Sequence, residues 1–171
     1  MAVRRRARKE TFRRTGTGAA IAAALAALIV ACAAPLVLAA TTEQIVVDRN
    51  SGLAIHGFDP VAYFTDGTPS LGKGEFEHRH AGVVWRFRNP GNLAAFAAHP
   101  DVYMPRFGGY DPVGVSRGLA VAGDPRIWMI GGERLYLFQS VENRTVFSVD
   151  IERFVAAADE TWPAVSHTLS P

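Results

Sequence analysis

His78 and His80 stand two positions apart, where Phe76, His78 and His80 alternate with Glu75, Glu77 and Arg79. A period of two puts alternate side chains on one face of a strand, so both imidazoles would project to the same side and could ligate one divalent transition metal. Two imidazoles leave a coordination sphere incomplete. A third donor would have to come from His56, Asp59, His99 or Asp111, and spacing along the chain does not say which of them converge. The competing structural reading packs His78 beside Phe76 under the sheet and leaves His80 at an exposed turn. Asp59 and Asp111 each precede a Pro, the pattern of a carboxylate N-cap followed by Pro at the first helical position. That capping role is the first reading of both. As a metal ligand, Asp111 would suit a harder ion or a mixed His/carboxylate zinc site. His99 precedes Pro100 at a helix end, where an imidazolium would complement the dipole.

Catalytic signatures are absent from the sequence. Ser116 lies in Val-Ser-Arg, outside any nucleophile elbow, and no two carboxylates are placed for acid–base work. Gly108-Gly109-Tyr110 lacks the Lys-Ser/Thr that would follow a phosphate cradle. The single cysteine, Cys32, excludes a disulfide framework and a thiolate zinc cluster within one chain.

The elements that would position these groups are short. Residues 45–47 read as a strand, the Asp48-Arg49-Asn50-Ser51-Gly52 cluster as a turn, and residues 53–55 as the return. A helical turn should follow Asp59-Pro60 over 61–64. Residues 76–80 and 83–87 form a hairpin about Ala81-Gly82, and Asn89-Pro90 should cap a helix to about residue 98, with Leu93, Phe96 and Ala97 on one stripe. Asp111-Pro112 should cap a second turn over 113–117, and residues 127–130 and 134–138 should pair across Gly131-Gly132. Ile151, Phe154, Val155, Ala158 and Trp162 mark a last helix that Pro163 should stop, leaving 164–171 as a flexible polar tail. Strands mixed with short helices, without βαβ alternation, give an α+β class: a small single domain of antiparallel hairpins with short helices and a hairpin-then-helix core. No long-period repeat is read in the sequence.

The N-terminus carries its own chemistry. Arg4, Arg5, Arg6, Arg8, Lys9, Arg13 and Arg14 precede an uncharged stretch from Thr15 to Thr42, and small residues at 39 and 40 offer a cleavage point. A basic region, an apolar run and small residues describe a secretory signal peptide over 1–40. The 18–40 stretch is also long enough for a retained membrane anchor. Ile29-Val30-Ala31-Cys32 matches a lipoprotein box, which would make Cys32 a lipidation site, and Arg13-Arg14 suits a twin-arginine signal in part, Gly16 and Thr17 falling where apolar residues belong. These readings place the mature chain in the periplasm or outside the cell, touching membrane only through signal or lipid. The whole chain has a net charge of +2, with 18 basic and 16 acidic residues. Without 1–40 the balance becomes −4, which excludes nucleic acid as a partner.

Taken together, the sequence resembles the YHS-domain family in its exported, longer form. The residues that carry the likeness are Ile55-His56-Gly57-Phe58-Asp59-Pro60-Val61-Ala62-Tyr63-Phe64, Trp85-Arg86-Phe87, Asn92, Phe96, Phe107-Gly108-Gly109-Tyr110, Gly123-Asp124-Pro125, Trp128, Leu135-Tyr136-Leu137 and Trp162-Pro163. They span about 53–163, and the YHS-like domain is set at 41–163. The resemblance implies a hairpin-and-helix metal-binding finger whose thiols would fall at Ala62, Arg88 and Asn92, with a further cysteine of the exported form at Asp111. None of these positions is a thiol here. The functional expectation is an exported binding module of the bacterial cell envelope, with a divalent transition metal as the leading ligand and His78, His80, Asp111 and His56 as candidate donors. A small metal-dependent or cryptic enzyme, and a structural or partner-binding domain without the family's ligand site, stay open as alternatives. The protein partner is unknown.

Overall fold

The computed structural model describes residues 44–169. The signal-peptide, twin-arginine and lipidation readings, Cys32 included, fall outside them.

The described residues begin with a bridge between Val47 and Ala54 around a turn in which the Asp48 carboxylate accepts from the Asn50 and Ser51 amides. A left-handed kink at Ile55–Gly57 leads to helix α1 (Ala62–Thr65). Strands β1 (Lys73–His80) and β2 (Val83–Phe87) form an antiparallel hairpin, and α2 (Pro90–Ala98) follows directly. The short helix α3 (Pro100–Tyr103) leads to a second left-handed kink at Arg106–Gly109 and then α4 (Pro112–Val115). Strands β3 (Asp124–Gly131) and β4 (Arg134–Phe138) form the second hairpin, followed by α5 (Val141–Val149) and α6 (Ile151–His167). The class is α+β, with two separate two-stranded sheets.

This order is one unit built twice, which corrects the expectation of no repeat. Asp111 follows Asp59 by 52 positions, and Phe147 follows Phe96 by 51. Both kinks put consecutive residues at positive φ: Ile55, His56 and Gly57 in the first copy, Phe107, Gly108 and Gly109 in the second. Both hairpins carry an irregularity at the same place, between Lys73 and Glu77 and between Asp124 and Trp128. Both turn through two positive-φ residues, Ala81-Gly82 and Gly132-Glu133, the backbone that matches the twist of paired strands. The second turn therefore sits one residue beyond the expected Gly131-Gly132, because Gly131 still pairs with Arg134. Gly72 and Gly123 also correspond. A Cβ at Gly72 would lie 2.4 Å from the Arg86 carbonyl carbon, and one at Gly123 would lie 2.7 Å from the Leu137 Cβ. In each copy the chain before the hairpin lies against the backbone of the returning strand too closely for a side chain.

The copies pack alike inside. Phe96 and Phe147 are both fully buried. Phe96 meets Trp85 and Phe87 at ring separations of 5.0 and 5.1 Å, and Phe147 meets Tyr136 and Phe138 at 4.9 and 5.2 Å. The central element is β4, whose Leu135 and Leu137 enter one core cluster with Trp85 and Phe96, while Tyr136 and Phe138 enter the other with Phe147 and Phe154. Burial on both faces accounts for its nearly continuous apolar sequence.

Two further expectations are corrected. Residues 141–149 form a helix, capped by the Ser140 hydroxyl accepting from the Asn143 amide, in a segment to which the sequence pattern assigns no element. Pro163 does not end α6, which runs through it to His167, with Val165 and Leu169 buried. Proline removes one helical donor, but packing holds the helix on course: Val165 and Leu169 are buried, and the Thr161 hydroxyl donates to the Val115 carbonyl of α4 at 2.5 Å. Residues 164–169 are therefore part of the folded body and not a loose tail.

Tyr63 of the first copy ties into the second. Its ring meets Trp128 edge-on at 5.2 Å, and its hydroxyl donates to the Pro125 carbonyl at 2.8 Å. Burial, reinforced by the charges of Asp124 and Asp59, pushes its ionisation well above the usual value near 10. Above that pH the unfolded chain releases a proton that the folded chain keeps, so stability falls as pH rises. We expect Tyr63→Phe to lower stability at neutral pH by about 1 kcal/mol, the loss of one buried hydrogen bond. It should also flatten the decline above pH 10, read from denaturant midpoints across pH. An unchanged alkaline slope would place the coupling elsewhere. Tyr136, raised mainly by burial too, should preserve part of the slope.

Candidate functional site

Each copy is organised around a buried carboxylate. Asp59 and Asp111 are the buried charged residues of the described chain, both fully enclosed. Asp59 Oδ1 accepts from the Val61 and Ala62 amides at 2.8 and 3.3 Å, as an N-cap should. Its Oδ2 accepts from the Arg88 amide at 2.8 Å and from the Asn92 side-chain amide at 2.7 Å. Asp111 repeats this bond for bond. Oδ1 takes the Val113 and Gly114 amides at 2.8 and 3.4 Å, and Oδ2 takes the Gln139 amide at 2.8 Å and the Asn143 side-chain amide at 2.7 Å. In both copies one residue before the following helix, Asn89 or Ser140, caps it by accepting from the amide of the same Asn.

This geometry decides what stands at the three positions where the YHS resemblance would place thiols. Ala62, Arg88 and Asn92 do converge, but on the Asp59 carboxylate and through two backbone amides and one side-chain amide. The carboxylate holds four hydrogen bonds and the surrounding groups are donors, so the residues present do not fit a soft metal at that point. Asp111 is likewise committed to four donors and is held as a structural cap.

The histidines are placed differently. His78 and His80 lie half-buried on the same face of β1, their rings parallel within 18° and 6.4 Å apart. Both rest edge-on against the Phe96 ring, at 6.2 and 5.9 Å. The strand periodicity thus brings the two imidazoles together. Among the described residues, no group of three or more His, Cys, Asp or Glu could hold a metal ion, so neither Asp111 nor His56 joins the pair. His56 is exposed in the first kink, with Nδ1 3.7 Å from the Asp48 carboxylate. Hydrogen bonds from Ser51 lead the causes that hold that carboxyl below its ordinary range. His99 is exposed at the junction of α2 and α3.

Two pockets lie elsewhere. One, of about 200 Å³, is lined by Ile45, Trp85, Met104, Pro105 and Trp162 with Gln44 and Ser166, none of them titratable. The other, of about 290 Å³, lies between the β3–β4 hairpin and α6 and includes Arg106, Arg134 and Tyr136. Neither was anticipated from the sequence. Arg134 and Tyr136 are ordinary strand residues until α6 is laid across them, and α6 is brought there by packing.

No family model, curated protein or solved structure matches the chain.

The paired carboxylates lead to a direct test. Replacing either Asp by Asn keeps the shape, removes the charge and turns an amino group toward buried donors. Asp59→Asn and Asp111→Asn should each destabilise the protein by about 3 kcal/mol in urea unfolding. Asn92→Ala and Asn143→Ala should each lose about 1–2 kcal/mol through the same network. Losses of only a few tenths at both carboxylates would remove them as the organising contacts.

Proposed function

We propose that the chain is an exported YHS-like binding module of the bacterial cell envelope that takes a divalent transition-metal ion on His78 and His80. Export is supported by the basic region, uncharged apolar run and small residues of 1–40. The YHS assignment is supported by the ordered anchors from Ile55 to Pro163 and by the hairpin-then-helix unit in which they lie. The observation that carries the ligand reading is the parallel pair of half-buried imidazoles, 6.4 Å apart, seated on Phe96. Two imidazoles held on one face can chelate a borderline ion such as Cu²⁺ or Zn²⁺, with water or a further ligand completing the sphere. Packing on Phe96 limits ring motion, so little side-chain freedom is lost on binding.

A second reading, a structural or partner-binding domain without the family's ligand site, draws support from Asp59 and Asp111, whose carboxylates are spent on folding. Metal content separates the two. Protein purified from the periplasm should carry close to one equivalent of metal, and a His78→Ala/His80→Ala double variant should carry none. Either single substitution should weaken Cu²⁺ or Zn²⁺ by roughly tenfold or more in a competition titration. Sub-stoichiometric metal in the wild type would favour the scaffold, and metal that survives the double substitution would place the site elsewhere.

A further inference from the structure

The groove between the second hairpin and α6 contains a charge that the fold does not use. Arg134 opens β4, and its Nε is the one buried side-chain polar atom without a hydrogen-bond partner among the described residues. It forms no ion pair there either. A buried guanidinium donor left unmatched costs folding free energy, so its retention calls for a ligand or a compensating role. Its neighbours in the groove are informative. Arg106 is already paired with Asp159, and its guanidinium also lies over the Phe107 ring at 5.1 Å. Tyr136 lines the same groove, its ionisation raised chiefly by burial, so its hydroxyl stays protonated and able to donate. Ile151 and Val155 supply an apolar wall from α6, and Gly131 and Gly132 leave the floor open.

The first copy shows that these features are not demanded by the repeated unit. Arg134 corresponds to Val83 and Tyr136 to Trp85, while Gly131 stands where the first copy has His80. A hairpin of this design therefore folds without the arginine or the phenol.

We propose that this groove binds a small organic monocarboxylate, its carboxylate received by the Arg134 guanidinium and the Tyr136 hydroxyl and its apolar body lying against Ile151 and Val155. A planar fork of N–H donors matches a carboxylate in shape and charge. The groove also contains the carboxylates of Glu152 and Asp159. With Asp159 matched by Arg106, the Arg134 guanidinium and the Glu152 carboxylate leave the empty groove close to neutral, so a monoanion is opposed less than a dianion such as phosphate. This inference is independent of the histidine pair.

Benzoate is the probe. In ¹H–¹⁵N spectra of the purified protein the Arg134 Nε–H resonance should shift saturably with benzoate, and in ¹H–¹³C spectra the Ile151 and Val155 methyl signals should shift with it. Equal concentrations of inorganic phosphate should move them little. Arg134→Gln should weaken benzoate about tenfold and Tyr136→Phe a few-fold, with Arg134→Lys falling between wild type and Arg134→Gln. Should Arg134→Gln fail to fold, the wild-type Nε–H titration decides by itself. Absence of a saturable shift, benzoate affinity unchanged in a folded Arg134→Gln variant, or tighter binding of phosphate than of benzoate would each overturn the proposal.

Discussion

A carboxylate enclosed by protein is tolerable only when donors replace the water it has lost, and here each of two aspartates receives four. Two of the four come from the helical turn that the aspartate caps. The other two come from the end of the hairpin's second strand and the first turn of the next helix. One side chain thereby ties the turn it caps to a strand–helix junction about 30 residues further along the chain. The direction in which the strand leaves the hairpin, and so the seat of Phe96 or Phe147 beneath it, follows from that junction. The close approach at Gly72 and Gly123 belongs to the same arrangement, since the chain leaving each capped turn comes back to donate to Gly57 or Gly109, two residues before the aspartate, close against the returning strand.

With the junction held constant, the rest of each copy is free to diverge. The first copy leaves one face of β1 half-open and places His78 and His80 there over Phe96. The second puts Met129 and Gly131 at the matching positions and is covered by α6, a helix of 17 residues where the first copy has only the single turn of α3. The burial of β4 on both faces comes from its place between the two core clusters, and α6 beside the second hairpin borders the groove around Arg134 and Tyr136. The histidine pair and the arginine groove are thus two elaborations of one unit, each built from positions that the carboxylate network does not need.

Local signals were legible where local physics dominates. Asn89-Pro90 predicted the start of α2, and the alternation of Phe76, His78 and His80 predicted both the strand and the shared face of the imidazoles. Helix α5 leaves no clear sequence signal because its apolar residues mislead. Val141, Val146 and Val149 are exposed, and only Phe147 is buried, so the sequence shows β-branched residues without an amphipathic stripe. Pro163 misled in the opposite sense, since tertiary contacts carry α6 past a residue that would end an isolated helix. The duplication was hidden for a related reason. The copies share little beyond the Gly-x-Asp-Pro-Val segments, scattered glycines, one Asn and two Phe, and these are spaced by 52 and then 51 positions, so a fixed period blurs.

The sequence by itself determined the caps, the hairpins, the strand face that carries His78 and His80, and the α+β class, because each depends on periodicity or on groups a few residues apart. It also named Asp59 and Asp111 as N-caps. Only the tertiary structure decided that these caps reach across to Arg88 and Asn92, and to Gln139 and Asn143, and that the fold is therefore a duplication. It alone decided that Asp111 and His56 stand apart from the histidine pair, and that the Nε of half-buried Arg134 is enclosed without a partner. Each of these depends on where distant segments come to rest. That is set by the competition between burying Phe96, Phe147 and β4 and satisfying two enclosed charges, and it leaves no periodic trace in the chain.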